Sequence, residues 1–229
     1  MMKMLLWKDW RLCRVPLIAA AILFVSPYIF MSYSLYRSSH GLLVKEFHDF
    51  GYVAWGLMLI SIAALAGNIF AGERQERSAD FLASFPIHRS RIIISKLLIT
   101  LACVALIWIV GAAAVFIPPF FFSQSPFTIR GLLPYFDIEE RETVRAFAAA
   151  SVGLFGFSWL CSTLSSSSAI SAAIGFGLTV AFAVASAVII EELEPLPVAT
   201  WHIVSAIVLI SGILAFIAGT LHYLFRRRP

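Results

Sequence analysis

Six long apolar stretches dominate this 229-residue chain and constrain its fold more than any other feature. A helix that crosses a bilayer needs about 20 mainly apolar residues, and each stretch is long enough. Membrane-spanning β-strands are about ten residues long and alternate strictly, a pattern that is absent here. The sequence therefore predicts an all-α polytopic membrane protein with six transmembrane helices. The predicted spans are residues 16–36, 50–71, 97–122, 144–164, 169–190 and 201–225.

The composition excludes the soluble classes of protein. Apolar residues make up 60% of the chain and charged residues 13%. Soluble domains contain about 45–50% and ~25%, respectively. A domain in water cannot enclose this much apolar surface, so lipid must be its solvent. A disordered chain, a coiled coil and a soluble globular fold are excluded, and residues 1–229 are predicted to form a single transmembrane domain.

The distribution of charge predicts the topology. Six spans place both termini on one side of the membrane, and most Lys and Arg residues lie on that side. The opposite side carries most acidic residues, so the positive-inside rule places both termini in the cytoplasm. The net charge of +4 is thus a topology signal, and no nucleic-acid partner is predicted. The basic residues on the side of the termini are Lys3, Lys8, Arg11, Arg14, Arg74, Arg77, Arg89, Arg91, Lys96, Arg226, Arg227 and Arg228.

The spans contain almost no ionisable groups. Carriers driven by protons or sodium ions keep carboxylates or histidines inside the membrane, so this scarcity argues against ion-coupled transport. Asn68 is the clearest polar side chain within a span, and we expect it to form a hydrogen bond between helices. Cys13, Cys103 and Cys161 lack metal-site spacing, and their odd number gives no disulfide framework. No metal site is predicted.

Small residues recur at the start of the fifth span. Ala169, Ala173 and Gly177 follow one another at four-residue spacing, and Gly175 lies on the adjoining face. Such spacing lets two helices approach closely. The sequence favours packing within the bundle, and the alternatives are a pore-lining face or a dimer face.

Residues 1–15 have the pattern of an amphipathic helix that lies in the membrane interface. Leu6, Trp10 and Cys13 fall along one helical face, and basic residues spaced by three fall along another. Tryptophan suits the level of the lipid headgroups, which favours an interfacial helix. A plain positively charged tail is the alternative. The residues assigned to the interfacial helix are Trp7, Lys8, Trp10, Arg11 and Arg14.

The longest loop on the cytoplasmic side is residues 72–96. Its charged, apolar and proline residues follow a pattern that a simple connecting segment does not need. Residues 73–80 are charged and compatible with a helix, and Phe81, Leu82 and Phe85 follow at positions i, i+1 and i+4. Pro86 ends this helix. Its apolar edge either docks in a groove of a partner protein or dips back into the bilayer.

This loop resembles the cytoplasmic loop of permease subunits in the ABC transporter type-2 family. The resemblance extends over the whole chain, from the start of residues 1–15 through six spans with this loop between the second and third. One departure is Ser78-Ala79, where the family often has Gly-Thr. The matching loop residues are Glu73, Asp80, Phe81, Leu82, Phe85, Pro86, Ile87, Arg89 and Lys96.

The resemblance implies the membrane subunit of an ATP-driven transporter, with export as the expected direction. The loop would contain a coupling helix that docks on a separate ATPase subunit, and residues 1–15 would be the connecting helix. Two permease subunits, identical or different, would pair, and two ATPases would carry the ATP and magnesium. The expected surroundings are the lipids of the inner (plasma) membrane of a prokaryote. The predicted docking residues are Glu73, Arg77, Asp80, Phe81, Leu82, Phe85, Pro86 and Arg89.

Known catalytic motifs are absent, so no catalytic residue and no cofactor is predicted in this chain. The chain has no phosphate-binding G-x-x-x-x-G-K-[ST] sequence, no H-E-x-x-H and no G-x-S-x-G. Glu139 and Glu140 precede Arg145 at one residue more than a glutamate-type membrane protease needs. No span carries a charge ring or a filter loop, which argues against a channel. A non-transporting anchor or regulatory subunit is the main alternative, and an intramembrane enzyme is the less favoured one.

Residues 123–143 are the longest external segment. Asp137 followed by Glu140 resembles a capping box, which predicts that the fourth helix begins before its span. A helix from Asp137 to Leu164 is about 40 Å long, more than the ~30 Å of the hydrocarbon core. We therefore expect ordered structure in this segment.

Overall fold

The computed structural model describes residues 2–37, 44–75, 88–122, 138–193 and 197–225. These residues form six helices, and no strand occurs among them, which confirms the all-α prediction. The helices, renumbered in chain order, are α1 Met2–Arg37, α2 Val44–Gln75, α3 Arg89–Phe122, α4 Ile138–Leu164, α5 Ser168–Leu193 and α6 Pro197–Phe225.

Each of the six helices contains an apolar segment long enough to cross a membrane, as predicted. The main difference is in α1, whose apolar segment is Leu6–Phe30 instead of residues 16–36. Because residues 2–15 continue into this segment as one helix, a separate interfacial helix is not confirmed. Of the predicted loop, residues 72–75 are the end of α2 and residues 89–96 the start of α3. Of the predicted external segment, residues 123–137 lie outside the described residues.

α1 stays helical through two prolines because other side chains satisfy the carbonyls that the prolines leave without a donor. Pro16 has no N–H for the carbonyl of Leu12, and Asn68 Nδ2 of α2 donates to that oxygen at 2.8 Å. The predicted interhelical hydrogen bond of Asn68 is thereby confirmed. Pro27 likewise leaves the carbonyl of Leu23, which accepts a hydrogen bond from Ser26 Oγ at 3.0 Å.

α2 and α4 are the central helices of the bundle. In their apolar segments 67% and 61% of the residues are buried, against 22–28% in the other four helices. α2 packs against α1, α3, α4 and α5, and α4 packs against α2, α5 and α6. The outward faces of the peripheral helices are apolar. Exposed side chains on them include Ile18, Ile109, Ile189 and Leu214.

Aromatic rings fill the core between these helices. In one group, Trp55 of α2 meets Trp108 of α3 edge to face with centroids 4.9 Å apart. Trp108 Nε1 also donates to Ser151 Oγ of α4 at 3.1 Å, so α3 and α4 are joined there. In a second group, Phe70 of α2 lies 5.1 Å from the ring of Trp159 in α4. Such ring pairs contribute about 0.5–1.5 kcal/mol beyond the area that they bury.

Glycines allow the closest helix approaches. A Cβ on Gly156 of α4 would overlap the carbonyl oxygen of Gly212 in α6, so the two backbones touch there. Gly67 of α2 approaches the backbone of Ala172 in α5 in the same way. The two glycines therefore let α4 approach α6, and α2 approach α5, to the distance of backbone contact.

The small residues of α5 divide into two faces. Gly175 packs on the backbone of Ser158 in α4, as the prediction of packing within the bundle requires. Ala169, Ala173 and Gly177 are exposed instead, and no atom lies within 4 Å of a Cβ built on Gly177. The prediction is therefore wrong for these three residues, because α5 is rotated so that its α4-facing side is the one that carries Gly175.

The bond between Asn68 and the Leu12 carbonyl can be tested with a pair of substitutions. We expect Asn68→Ala to lower the free energy of unfolding by about 1–3 kcal/mol, because the Leu12 carbonyl loses its donor. Pro16→Ala supplies a backbone N–H for the same carbonyl, so Asn68→Ala should cost much less in that background. The measurement is denaturant unfolding in detergent. An equal cost in both backgrounds would show that the amide does not compensate for the proline.

Candidate functional site

Four charged side chains from three helices meet at the end of the bundle where α1 begins. Lys96 Nζ of α3 lies 2.9 Å from Glu73 Oε1 of α2 and 3.4 Å from Asp9 Oδ1 of α1. Lys8 Nζ of α1 lies 2.6 Å from the same Glu73 oxygen. Two cations and two anions balance, so this group, which we call the charge cluster, is neutral overall.

The charge cluster is almost completely shielded from solvent. The side chains of Lys96, Glu73 and Asp9 are 1%, 6% and 8% exposed, whereas that of Lys8 is 25% exposed. Buried charges are tolerated only when they are paired and hydrogen-bonded. The pairing in this cluster therefore determines whether these helix ends can pack at all.

Hydrogen bonds from the neighbouring backbone and side chains complete the cluster. The Lys96 ammonium donates to the Ile69 carbonyl of α2 at 2.9 Å, in addition to its two carboxylate partners. Three N–H groups thus have three acceptors. The ammonium also lies 5.4 Å from the centroid of the Phe70 ring. Ser95 Oγ donates to Asp9 Oδ2 at 2.6 Å, so both oxygens of that carboxylate accept a bond.

The charge cluster connects both helices that flank residues 76–87. Glu73 lies in the last turn of α2, and Lys96 lies in the second turn of α3. Both also bond to α1, through Lys8 and Asp9. Any displacement of residues 76–87 is therefore applied to helix ends that are already bonded to one another.

A second set of bonds joins α2 to the connection between α4 and α5. Arg74 Nη1 donates to the Ser165 carbonyl at 2.8 Å, and Nη2 donates to the Thr163 carbonyl at 2.6 Å. These oxygens lie at the carboxyl end of α4, where carbonyls lack helical partners and attract cations. Ser167 immediately precedes α5, and its carbonyl accepts bonds from the Ser171 amide and hydroxyl.

The first turns of α1 have a buried polar face and an exposed aromatic and basic face. Asp9 and Cys13 are buried, whereas Trp7 and Trp10 are 58% and 41% exposed. Trp10 and Cys13 lie three residues apart on one side of this helix, as predicted, but they differ in burial. Arg11 lies over the Trp7 ring, 4.8 Å from its centroid. Of the remaining residues assigned to the interfacial helix, Lys8 bonds to Glu73, and Arg14 is exposed.

Only two of the predicted docking residues fall within the described part of the chain. Glu73 is buried in the charge cluster, and the backbone of Arg89 begins α3. Their docking role stays a prediction. The others lie outside the described residues: Arg77, Asp80, Phe81, Leu82, Phe85 and Pro86.

The sequence reasoning missed the partners of these charges. Lys96 was used as a topology signal and as a loop residue, Arg74 only as a topology signal, and Asp9 was not used at all. A signal was present: Asp9 is an acid between Lys8 and Trp10 near an apolar run, and Lys96 interrupts the apolar residues of α3. An acid and a base placed so near the ends of two spans favour pairing, because neither is tolerated alone.

The charged groups of the site bond the ends of α1, α2 and α3 to one another. Within the described ranges, no group of three His, Cys, Asp or Glu side chains is arranged to hold a metal. Beside the cluster, a cavity of about 10 Å³ is lined by Asp9, Cys13, Asn68 and Lys96, among others. This volume admits about one water molecule and no larger ligand. The charge cluster can therefore hold the ends of α1, α2 and α3 in register.

The fold is that of an integral membrane protein, because each of its six helices can span a membrane. In the site, the ends of α1, α2 and α3 are bonded to one another. A family model described as ABC-2 family transporter protein matches residues 7–182, which is more than half of the chain. The chain belongs to this family, as its loop and spans predicted. The match includes the charge cluster and Arg74. No curated protein and no solved structure matches the chain.

The charge cluster predicts a large stability loss when one member is removed. Lys96→Met leaves Asp9 and Glu73 buried with only Lys8 as a cationic partner. We expect a loss of about 3–5 kcal/mol in the free energy of unfolding, measured with denaturant in detergent. The control is Arg145→Gln, because Arg145 is 59% exposed and pairs with Glu142 at 2.9 Å. That exposed pair is worth about 0–1 kcal/mol. Equal losses in the two variants would contradict the structural role of the cluster.

Proposed function

We propose that this chain is the membrane subunit of an ATP-driven exporter and forms the translocation pathway as a dimer driven by separate ATPase subunits. One observation carries the proposal beyond family membership. Both ends of the segment 76–87 are bonded into the bundle by buried groups, Glu73 on one side and Lys96 on the other. A segment fixed in this way at both ends is suited to receive a displacement and pass it to the helices.

In this proposal, residues 76–87 contain the coupling helix. Phe81, Leu82 and Phe85 form its apolar docking edge, and Arg77 and Arg89 pair with acidic groups of the ATPase. ATP and magnesium bind to the ATPase alone. Closure of the ATPase displaces the segment, and the spans change between inward-facing and outward-facing states.

The same proposal sets the orientation. The end of the bundle with the charge cluster faces the cytoplasm, together with both termini, because the basic residues gather there. The membrane is the inner membrane of a prokaryote. Trp7, Trp10, Arg11 and Arg14, the exposed face of α1, then contact the lipid headgroups of the cytoplasmic leaflet.

The dimer forms through α5 in this proposal. Ala169, Ala173 and Gly177 face outward at four-residue spacing, and they are not used for packing within the bundle. Small residues on an outward helix face permit close contact with a second helix in lipid. The partner is a second copy of this chain or a related permease subunit.

The coupling helix is tested by co-purification with the ATPase. We expect the tagged wild-type chain, solubilised in mild detergent, to retain an ATPase that contains the phosphate-binding motif at one copy per permease. Phe81→Asp and Phe85→Asp should each lower the retained ATPase at least about tenfold, because a charge at one hot-spot position costs about 2 kcal/mol or more of binding free energy. Membrane insertion should not change.

The matched control is Phe225→Asp, which makes the same substitution at an exposed residue at the end of α6, on the same side of the bundle but outside the segment. This variant should retain the ATPase. Normal retention by both phenylalanine variants would remove the docking assignment. Absence of any ATPase with the wild-type chain would contradict the proposed function.

The dimer is tested by cysteine cross-linking in native membranes. Residues near the axis of a two-fold dimer meet their own copies, so Ala173→Cys and Gly177→Cys should form a covalent dimer with a short bismaleimide. Leu214→Cys is the control, since Leu214 is exposed on a different helix, α6. The native cysteines are buried. Equal cross-linking at all three positions would contradict the α5 interface.

A further inference from the structure

Two neighbouring residues in the last turn of α2 bond to different parts of the bundle. Successive side chains on a helix point about 100° apart, because one turn takes 3.6 residues. Glu73 therefore meets Lys8 of α1 and Lys96 of α3. Arg74 meets the Thr163 and Ser165 carbonyls at the connection between α4 and α5. We call Glu73 and Arg74 the α2 junction.

The α2 junction lies between two groups of helices. Among the described residues, α1 packs against α2 and α3, whereas α5 packs against α2, α4 and α6. α2 packs extensively against members of both groups, whereas the direct contact between α3 and α6 is small. At its last turn, each group is reached by a separate side chain, so the two connections can be altered independently.

The two groups are also joined deeper in the bundle. Trp108 of α3 donates to Ser151 of α4 at 3.1 Å. Trp108 follows Lys96, and Ser151 precedes Thr163, by the same number of residues, which places this bond about 18 Å from the α2 junction along both helices at 1.5 Å per residue. A displacement at the junction can therefore tilt the two groups relative to each other while this deeper bond holds.

Arginine is suited to the connection with α4 and α5. Its planar guanidinium donates two parallel bonds, and both acceptors here are carbonyls at the carboxyl end of one helix. The connection between α4 and α5 is only Ser165 to Ser167, so a shift of the Ser165 carbonyl acts on both helices. A lysine in the same place has one ammonium and cannot reproduce the fork.

We propose that Arg74 is a positioning residue that transmits displacement of the segment 76–87 to the connection between α4 and α5, while Glu73 transmits it to α1 and α3. This inference rests on the proposed function, because it requires an ATPase that displaces the segment. A displacement of the segment 76–87 thereby reaches two separate parts of the bundle. α5, which carries the outward small-residue face, receives its motion through Arg74.

Hydrogen–deuterium exchange of the complete complex, with and without ATP and vanadate, tests whether Glu73 and Arg74 transmit the displacement separately. Two segments report separately: residues 165–168 for the connection between α4 and α5, and residues 90–95 for the start of α3. In the wild-type complex we expect the nucleotide to change exchange in both segments by about fivefold or more, the lower end of typical allosteric coupling.

Arg74→Gln should abolish the nucleotide-dependent change at residues 165–168 and preserve the change at residues 90–95. Glu73→Gln should do the reverse. A merely structural role would raise exchange equally with and without nucleotide, leaving the nucleotide-dependent ratio intact. Arg145→Gln is the control, because it removes an exposed arginine of α4 that pairs only near the opposite end of that helix. Both nucleotide responses should survive in it.

The outcomes separate the inference from the proposed function. A wild-type complex without a nucleotide response in either segment contradicts the proposed function. A wild-type response that Arg74→Gln leaves intact at residues 165–168 overturns the role of Arg74. If Arg74→Gln fails to assemble, Arg74→Lys replaces it, because one ammonium still reaches one carbonyl. Its response at residues 165–168 should be smaller than in the wild type, and an unchanged response again overturns the proposal.

Discussion

A single buried ammonium group, that of Lys96, organises one end of this molecule. Its side chain is 1% exposed, and it is bonded to Glu73, Asp9 and the Ile69 carbonyl. An ammonium in such a place is stable only if every N–H has an acceptor and a carboxylate balances its charge. Because those acceptors come from α1 and α2, three helix ends must meet at Lys96. The segment 76–87 therefore leaves and enters the bundle at points whose positions are fixed.

The same requirement, that polar groups inside the membrane find partners within the protein, explains the continuity of α1. Two prolines remove backbone donors, and the carbonyls of Leu12 and Leu23 would be left without partners in lipid. Asn68 and Ser26 supply the missing donors. Asn68 thus holds α1 against α2 one turn further into the bundle than the charge cluster does. The two contacts together make the start of α1 part of the bundle, although its outer face carries Trp7, Trp10 and Arg11.

These bonds connect the structure with the function that we propose for this member of a transporter family. In the proposed function, the chain responds to ATP through mechanical contact with a separate ATPase. Glu73 and Arg74, next to the proposed contact, bond in two directions, towards α1 and α3 and towards the connection between α4 and α5. The close glycine contact between Gly156 and Gly212 and the aromatic contacts of Trp55 and Trp159 hold the remaining helices around α2 and α4.

Much of this architecture could be predicted from the sequence, because it depends on properties that a linear pattern contains. Apolar length determined six spans, and the placement of Asn68, the clearest polar side chain in a span, indicated a helix–helix bond. The loop motif with Pro86 and Lys96 indicated the family. The start of the first span was misplaced because residues 1–15 were assigned to a separate interfacial helix, whereas the helix continues through Pro16 with the help of a neighbouring helix.

Only the tertiary structure decided which charges meet and which faces point outward. Asp9 and Lys96 are separated by most of two spans and by the two loops that follow them, so no local periodicity relates them. In the sequence, Arg74 was interpreted only as a topology signal, because its acceptors are backbone carbonyls, which have no residue-specific sequence signature. The outward orientation of Ala169, Ala173 and Gly177 depends on the rotation of α5 against α4, which the contact of Gly175 with Ser158 sets. The sequence by itself determined the elements and their membrane environment, whereas packing determined the rotation of each helix and hence the partners of its charges.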